Sequence, residues 1–127
     1  MTADVLLFLD GKWVAGSCGR SLPLTNPATG ETAGSVAVAE TADLDVALEG
    51  AGSTFRSWKN ASPVERGRVL RRAAELLRER IDEIAPVLTE QQGKTLFEAR
   101  YEVNATAESF DWFAEEARRA YGRIVPA

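Results

Sequence analysis

The chain holds one cysteine, Cys18, and no histidine. Without histidine it lacks both the commonest general base at neutral pH and the commonest metal ligand. A nucleophilic thiol needs a base or a helix N-terminus beside it. Cys18 stands instead among Gly16, Ser17 and Gly19 in a small-residue loop, which argues against a catalytic role. Glu115 and Glu116 adjoin on a helical stretch, so they point in different directions and make poor acid–base partners. Glycine pairs occur at Gly16/Gly19 and Gly50/Gly52, but no GxGxxG follows a strand and opens a helix, and no P-loop pattern is present. Arg66, Arg68, Arg71, Arg72, Arg78 and Arg80 are interleaved with Glu65, Glu75 and Glu79. That spacing favours a solvated, ion-paired helix face over a phosphate or nucleic-acid surface. The residues therefore supply no catalytic, cofactor-binding or metal set.

One feature carries a functional alternative. Phe97, Tyr101, Ala105 and Trp112, with Glu108 among them, recur at helical spacing and could wall an apolar pocket or tunnel. Core or interface packing accounts for the same spacing, and periodicity alone favours it. The helix bearing this stripe opens at Thr95, which forms a capping box with Glu98. It has another apolar stripe at Leu96, Ala99, Val103, Ala107, Phe110, Phe113 or Ala114, Ala117 and Tyr121. A helix at the edge of a two-layer domain needs one apolar face; two faces imply packing between layers.

The elements that must position this helix can be read in order. Leu6 to Val14 forms two short strands about Asp10–Gly11, a strong hairpin signal. Ser21 to Thr25 and Thr32 to Ala39 form another hairpin around the Asn26–Gly30 turn. From Thr41 the period becomes 3.6. Thr41 can cap a helix whose stripe is Leu44, Ala47, Leu48, Ala51, Phe55 and Trp58, with Asp43 and Asp45 at its positive end. Gly50 and Gly52 each cost this helix about 1 kcal/mol. Ser62–Pro63–Val64–Glu65 starts the next helix with a capping box and Pro at its first position. Its stripe Leu70, Ala73, Leu77, Ile81, Ile84 and Leu88 meets Pro86, which divides it near Asp82, and Gly93 closes it. The expected class is α+β: two N-terminal β-hairpins over 6–39, three to four helices over 41–121, and the start of a strand over 123–127.

At 127 residues, 45% hydrophobic and 27% charged, with net charge −4, the composition is that of a soluble domain or part of a larger one. Nothing calls for nucleic acid or a membrane as partner. No signal peptide is visible, and a lone cysteine fits a reducing, cytoplasmic setting.

Several stretches in order resemble the N-terminal part of the aldehyde dehydrogenase superfamily: FLDGKWV (8–14), TNPATGE (25–31), FRSW (55–58), SPVERGRVLRRAAELLRER (62–80), QGK (92–94) and WFAEEARRAYGRIVP (112–126). The WFAEEARRAYG segment looks most like the succinate-semialdehyde and 2-oxoglutarate-semialdehyde dehydrogenases. The resemblance implies that residues 1–127 are the N-terminal part of a cofactor-binding domain, a fragment of an α/β fold. The full-length family oxidises an aldehyde to a carboxylate with NAD or NADP, through a cysteine nucleophile and a glutamate base. Those parts, the PWNFP asparagine and the glycine-rich nucleotide turn have no counterpart in this sequence, and Cys18 does not match the nucleophile motif. The chain alone is thus expected to bind no cofactor and to be inactive. By position in the family, Tyr101, Ala105 and Glu108 border the substrate tunnel. Gln91 stands where many relatives carry an acidic residue associated with a structural cation. The partners implied are the remainder of the enzyme chain or a second copy in a homo-oligomer. The alternative is a non-catalytic helical oligomerisation or interaction module derived from the family.

Overall fold

The computed structural model describes residues 3–119 together with 121, 122 and 125. The chain divides into two compact units, residues 1–60 with 88–94 and residues 61–87 with 95–127.

In the first unit, β2 (Leu7–Leu9) and β3 (Lys12–Val14) form the expected antiparallel hairpin. Asp10 and Gly11 both take positive φ, 46° and 77°, which gives the turn the right-handed twist of its strands. Phe8 faces Trp13 across the ladder, their rings 4.9 Å apart, a cross-strand aromatic pair that fixes register. The other hairpin joins β4 (Ser21–Thr25) to β5 (Thr32–Ala37). At its tip the Asn26 carbonyl accepts from Gly30 N–H and the Asn26 side chain accepts from Ala28 N–H.

The two-hairpin expectation omits a strand. β1 (Ala3–Val5) pairs in parallel with β5, giving a sheet ordered β1–β5–β4. Its anchor is polar: Ser35 Oγ donates to Asp4 Oδ1 at 2.6 Å across paired positions. Three residues without alternation carry no period-2 signal.

Helix α1 (Thr41–Trp58) begins where expected, but Glu40, not Thr41, is its N-cap residue. Glu40 N–H donates to Asp43 Oδ2 at 2.9 Å. The stripe Leu44, Leu48, Ala51, Phe55 and Trp58, expected to be buried, is exposed, and only Ala47 of that set is half-buried. α1 is held through its first turn, where Asp43 is the buried residue, so polar bonds and not its apolar face dock it.

The second unit is built on α2 (Pro63–Glu79) and α4 (Leu96–Glu116). Both capping boxes form: Ser62 Oγ accepts from Glu65 N–H, and Thr95 Oγ1 accepts from Glu98 N–H. The helices meet through small residues. Gly67 and Ala74 on α2, and Ala99, Val103, Ala107 and Ala114 on α4, are buried. This settles Phe113 or Ala114 in favour of Ala114, with Phe113 exposed. The α2 stripe expected to be the core is only half-buried at Leu70, Ala73 and Leu77, because close approach puts the seam at Gly67 and Ala74. Arg71 with Glu115, and Arg78 with Asp111 at 2.7 Å, pair along the seam's edges.

α2 ends at Glu79 with Arg80 as its C-cap, and α3 (Ile81–Gln92) follows with Pro86 inside it, a division close to that expected. Gly93 takes φ 75° and its N–H donates to Thr89 O, closing α3 as a C′ glycine. α4 stops at Glu116, short of Tyr121, with its end tightened into i→i+3 bonds from Arg118 to Glu115 and Arg119 to Glu116. The strand expected over 123–127 lies, Val125 apart, outside the described residues.

Candidate functional site

On α4, Tyr101, Ala105 and Glu108 follow one another at i, i+4 and i+7, which places them on one face. Phe97 precedes them and Trp112 extends the same row. Phe97, Tyr101 and Trp112 are 80%, 72% and 65% exposed, Glu108 is exposed and Ala105 is half-buried. The seam residues Ala99, Val103, Ala107 and Ala114 take the other side of the helix. The sequence-derived residues thus stand together as an open wall of aromatic rings with one carboxylate among them. Such a wall can bind apolar matter, but it places no two titratable groups together for proton transfer.

The sequence did not single out the most constrained carboxylate. Asp43, buried in the first turn of α1, accepts from Ser17 N–H at 2.9 Å, Ser17 Oγ–H at 2.9 Å and Glu40 N–H at 2.9 Å. The Glu40 N–H, then the Ser17 N–H, hold its carboxyl below the usual aspartate range. Asp43 ties the Gly16–Gly19 loop to the helix start. Only an acidic residue three positions after Glu40, at the start of the helix, hinted at this.

Beside it, the Arg20 guanidinium pairs with Glu40 and holds that carboxyl below its ordinary value. Cys18 is exposed; its sulfur accepts from Arg20 N–H at 3.5 Å and lies 3.8 Å from Val38 O. Its side chain also interacts with the Arg20 guanidinium and the Glu40 carboxylate. The Glu65 carboxyl of α2 is lowered chiefly by the Ser62 N–H it accepts, a structural capping bond.

The turn from β5 into α1 does not fit the diphosphate of a dinucleotide. β5 runs into α1 through Val38, Ala39 and Glu40, and a diphosphate at such a strand-to-helix turn needs a helix N-terminus free of negative charge. Here Glu40 and Asp43 put carboxylates at that end. No chemical step through a nicotinamide is assigned to these residues. No group of three or more potential ligands suited to a metal ion occurs among the described residues, and no described helix is long and apolar enough to cross a membrane.

A model of the aldehyde dehydrogenase family matches residues 13–127. A 4-(hydroxymethyl)benzenesulfonate dehydrogenase of Comamonas testosteroni is 42% identical over 121 residues, covering 95% of this chain and 25% of that protein. Glutarate-semialdehyde dehydrogenase of Pseudomonas putida is 40% identical over 119 residues, covering 94% and 25%. The crystal structure of succinate-semialdehyde dehydrogenase from Burkholderia pseudomallei superposes with a TM-score of 0.90 at 33% identity, over 97% of this chain and 26% of that one. The chain spans about a quarter of the length of the curated relatives it matches, and the match falls on their N-terminal part.

Proposed function

The chain belongs to the aldehyde dehydrogenase family, and from that premise we propose that it serves as the N-terminal portion of a semialdehyde dehydrogenase, walling the approach of the substrate. In the whole enzyme an aldehyde is oxidised to a carboxylate with NAD or NADP. The face of Tyr101, Ala105 and Glu108 lines the way in, and the chemistry belongs to the remainder of the enzyme chain. The setting is the cytoplasm, and the partners are that remainder and a second copy. The observation that carries this is the two-sidedness of α4: its small residues are buried while Phe97, Tyr101 and Trp112 stand exposed opposite them. An aromatic row of this kind is an unfinished wall.

The test uses the purified chain with succinate or glutarate semialdehyde and NAD or NADP. Alone it gives no turnover. Co-expressed with the remaining three quarters of a relative, it restores turnover, and Tyr101→Ala or Glu108→Gln then raises KM more than it lowers kcat. Turnover by the chain alone refutes the division of labour, and unchanged KM refutes the wall. The exposed aromatic row also supports a second possibility, a non-catalytic oligomerisation module, which wins if no remainder restores activity while the chain self-associates.

A further inference from the structure

Helix α1 meets the β2–β3 hairpin and the Gly16–Gly19 loop by its less apolar side. Asp43 is buried and Ala47 and Gly50 are half-buried, a row at i, i+4 and i+7. Asp43 accepts from Ser17 of the loop. A β-carbon on Gly50 would lie 3.2 Å from Asp10 Oδ1 in the hairpin turn. The large side chains are elsewhere. Leu44, Leu48, Phe55 and Trp58 are all exposed, and they fall within about 80° of arc along roughly 21 Å of helix. No charged residue interrupts this stripe.

Gly52 lies between two of these side chains, four residues after Leu48 and three before Phe55. Glycine inside a helix is costly. At Gly50 the approach of Asp10 accounts for it. A β-carbon on Gly52 would meet no atom within 4 Å, so nothing among the described residues calls for a glycine there. Gly67, whose β-carbon position is taken up by α4, shows what such a residue does when its neighbour is present.

We propose that the apolar stripe of α1 is the seat of the remainder of the enzyme chain, whose backbone approaches the helix closely at Gly52. This rests on the reading above of the chain as the N-terminal portion of a larger enzyme. The other three quarters of its relatives' length lie outside the matched part, and they supply an occupant of the size required. An uncharged stripe has the character of a core cut open, as permanent interfaces do. Its surroundings carry Asp45, Glu49, Arg56 and, past the helix end, Lys59, 6.0 Å from the Phe55 ring centre. That balanced set does not suit an anionic lipid surface, which calls for lysine and arginine beside the apolar face. The seat on α1 also leaves the α4 face open to substrate.

The test titrates the chain with the remaining three quarters of the Pseudomonas putida glutarate-semialdehyde dehydrogenase, reading binding by fluorescence anisotropy and turnover in parallel. Two variants at exposed positions are compared with the unaltered chain, Gly52→Ala and Phe55→Glu. Gly52→Ala is expected to raise the melting midpoint of the isolated chain by a few degrees, because alanine favours the helix. It is nevertheless expected to bind the remainder about tenfold more weakly, because its methyl group fills the space of the close approach. Greater stability alone with weaker binding in the complex excludes misfolding as the cause. Phe55→Glu keeps Lys59 as a partner four residues on, and is expected to leave the midpoint unchanged while binding at least about tenfold more weakly. If the unaltered chain binds and restores turnover and both variants match it, the seat on α1 is overturned and the N-terminal reading stands. Variants that keep the remainder but lose self-association assign the stripe to a second copy and overturn the seat too. An unaltered chain that does not bind the remainder overturns the N-terminal reading and this inference with it.

Discussion

A β-carbon on Gly67 would lie 2.8 Å from the carbonyl oxygen of Ala114, so α2 and α4 meet backbone to backbone at this point. Gly67→Ala gains about 1 kcal/mol of helix propensity. It also drives a methyl group into a carbonyl that belongs to a packed helix and cannot turn away, a cost of about 1–3 kcal/mol. The clash wins. Gly67→Ala will lower stability by about 1 kcal/mol net, read as a drop in the urea midpoint at unchanged m-value. A rise in the midpoint would mean that the seam has slack.

Asp43 sets an acid limit on the first unit. Its folded carboxyl is held below the ordinary value, first by Glu40 N–H and then by Ser17 N–H. The stabilisation is therefore present above the unfolded pKa of about 3.9 and is lost as pH falls through the lower folded value. Stability of the unaltered chain will decline across that window. Asp43→Asn will be less stable at neutral pH and will show a flatter acid slope. Parallel slopes in urea titrations from about pH 6 down to pH 2 would show that Asp43 is not the group responsible.

Gly93 has φ 75° and stands where a β-carbon would come within 3.0 Å of Pro27 Cγ. Gly93→Ala meets a left-handed backbone penalty of about 1–2 kcal/mol. Asparagine tolerates that conformation better, so Gly93→Asn will cost less. Equal midpoints for the two variants in thermal unfolding would shift the cause from backbone to the Pro27 contact.

The ion pair Arg78–Asp111 spans the two helices at 2.7 Å, but both side chains are 42% exposed. A double-mutant cycle with Ala at both positions will return a coupling below about 1 kcal/mol, diminishing with added salt. A larger, salt-insensitive coupling would contradict the view that close packing at Gly67 and Ala74 holds the helices together.

What was legible in the sequence was local. Asp10–Gly11, Ser62 with Glu65, Thr95 with Glu98, and Gly93 each specify a turn or cap through their own backbone preferences, and each took the expected form. Positions whose fate depends on what lies across from them were not legible. The α1 stripe of Leu44, Leu48 and Phe55 has helical periodicity yet is exposed, because periodicity marks a face without naming what covers it. Gly67 and Ala74 carry no pattern of their own, and only the approach of α4, with Ala114 O against Gly67, makes them the seam. β1 is anchored to β5 by Asp4 and Ser35, a pair 31 residues apart with no pattern to announce it. At the candidate site, Tyr101, Ala105 and Glu108 did fall on one face as their spacing required, while the bond from Ser17 to Asp43 was invisible until the loop and helix were brought together.

The seam between α2 and α4 is made of alanine, valine and glycine, and no large side chain among the described residues is fully buried. Heat capacity of unfolding comes mostly from hydrocarbon newly exposed to water. A chain that hides so little has little left to expose, so its calorimetric trace will show a small step between folded and unfolded baselines and a stability curve that bends weakly with temperature. Covering the aromatic row of α4 or the stripe of α1 would supply the missing hydrocarbon, and calorimetry would register that covering as a larger step.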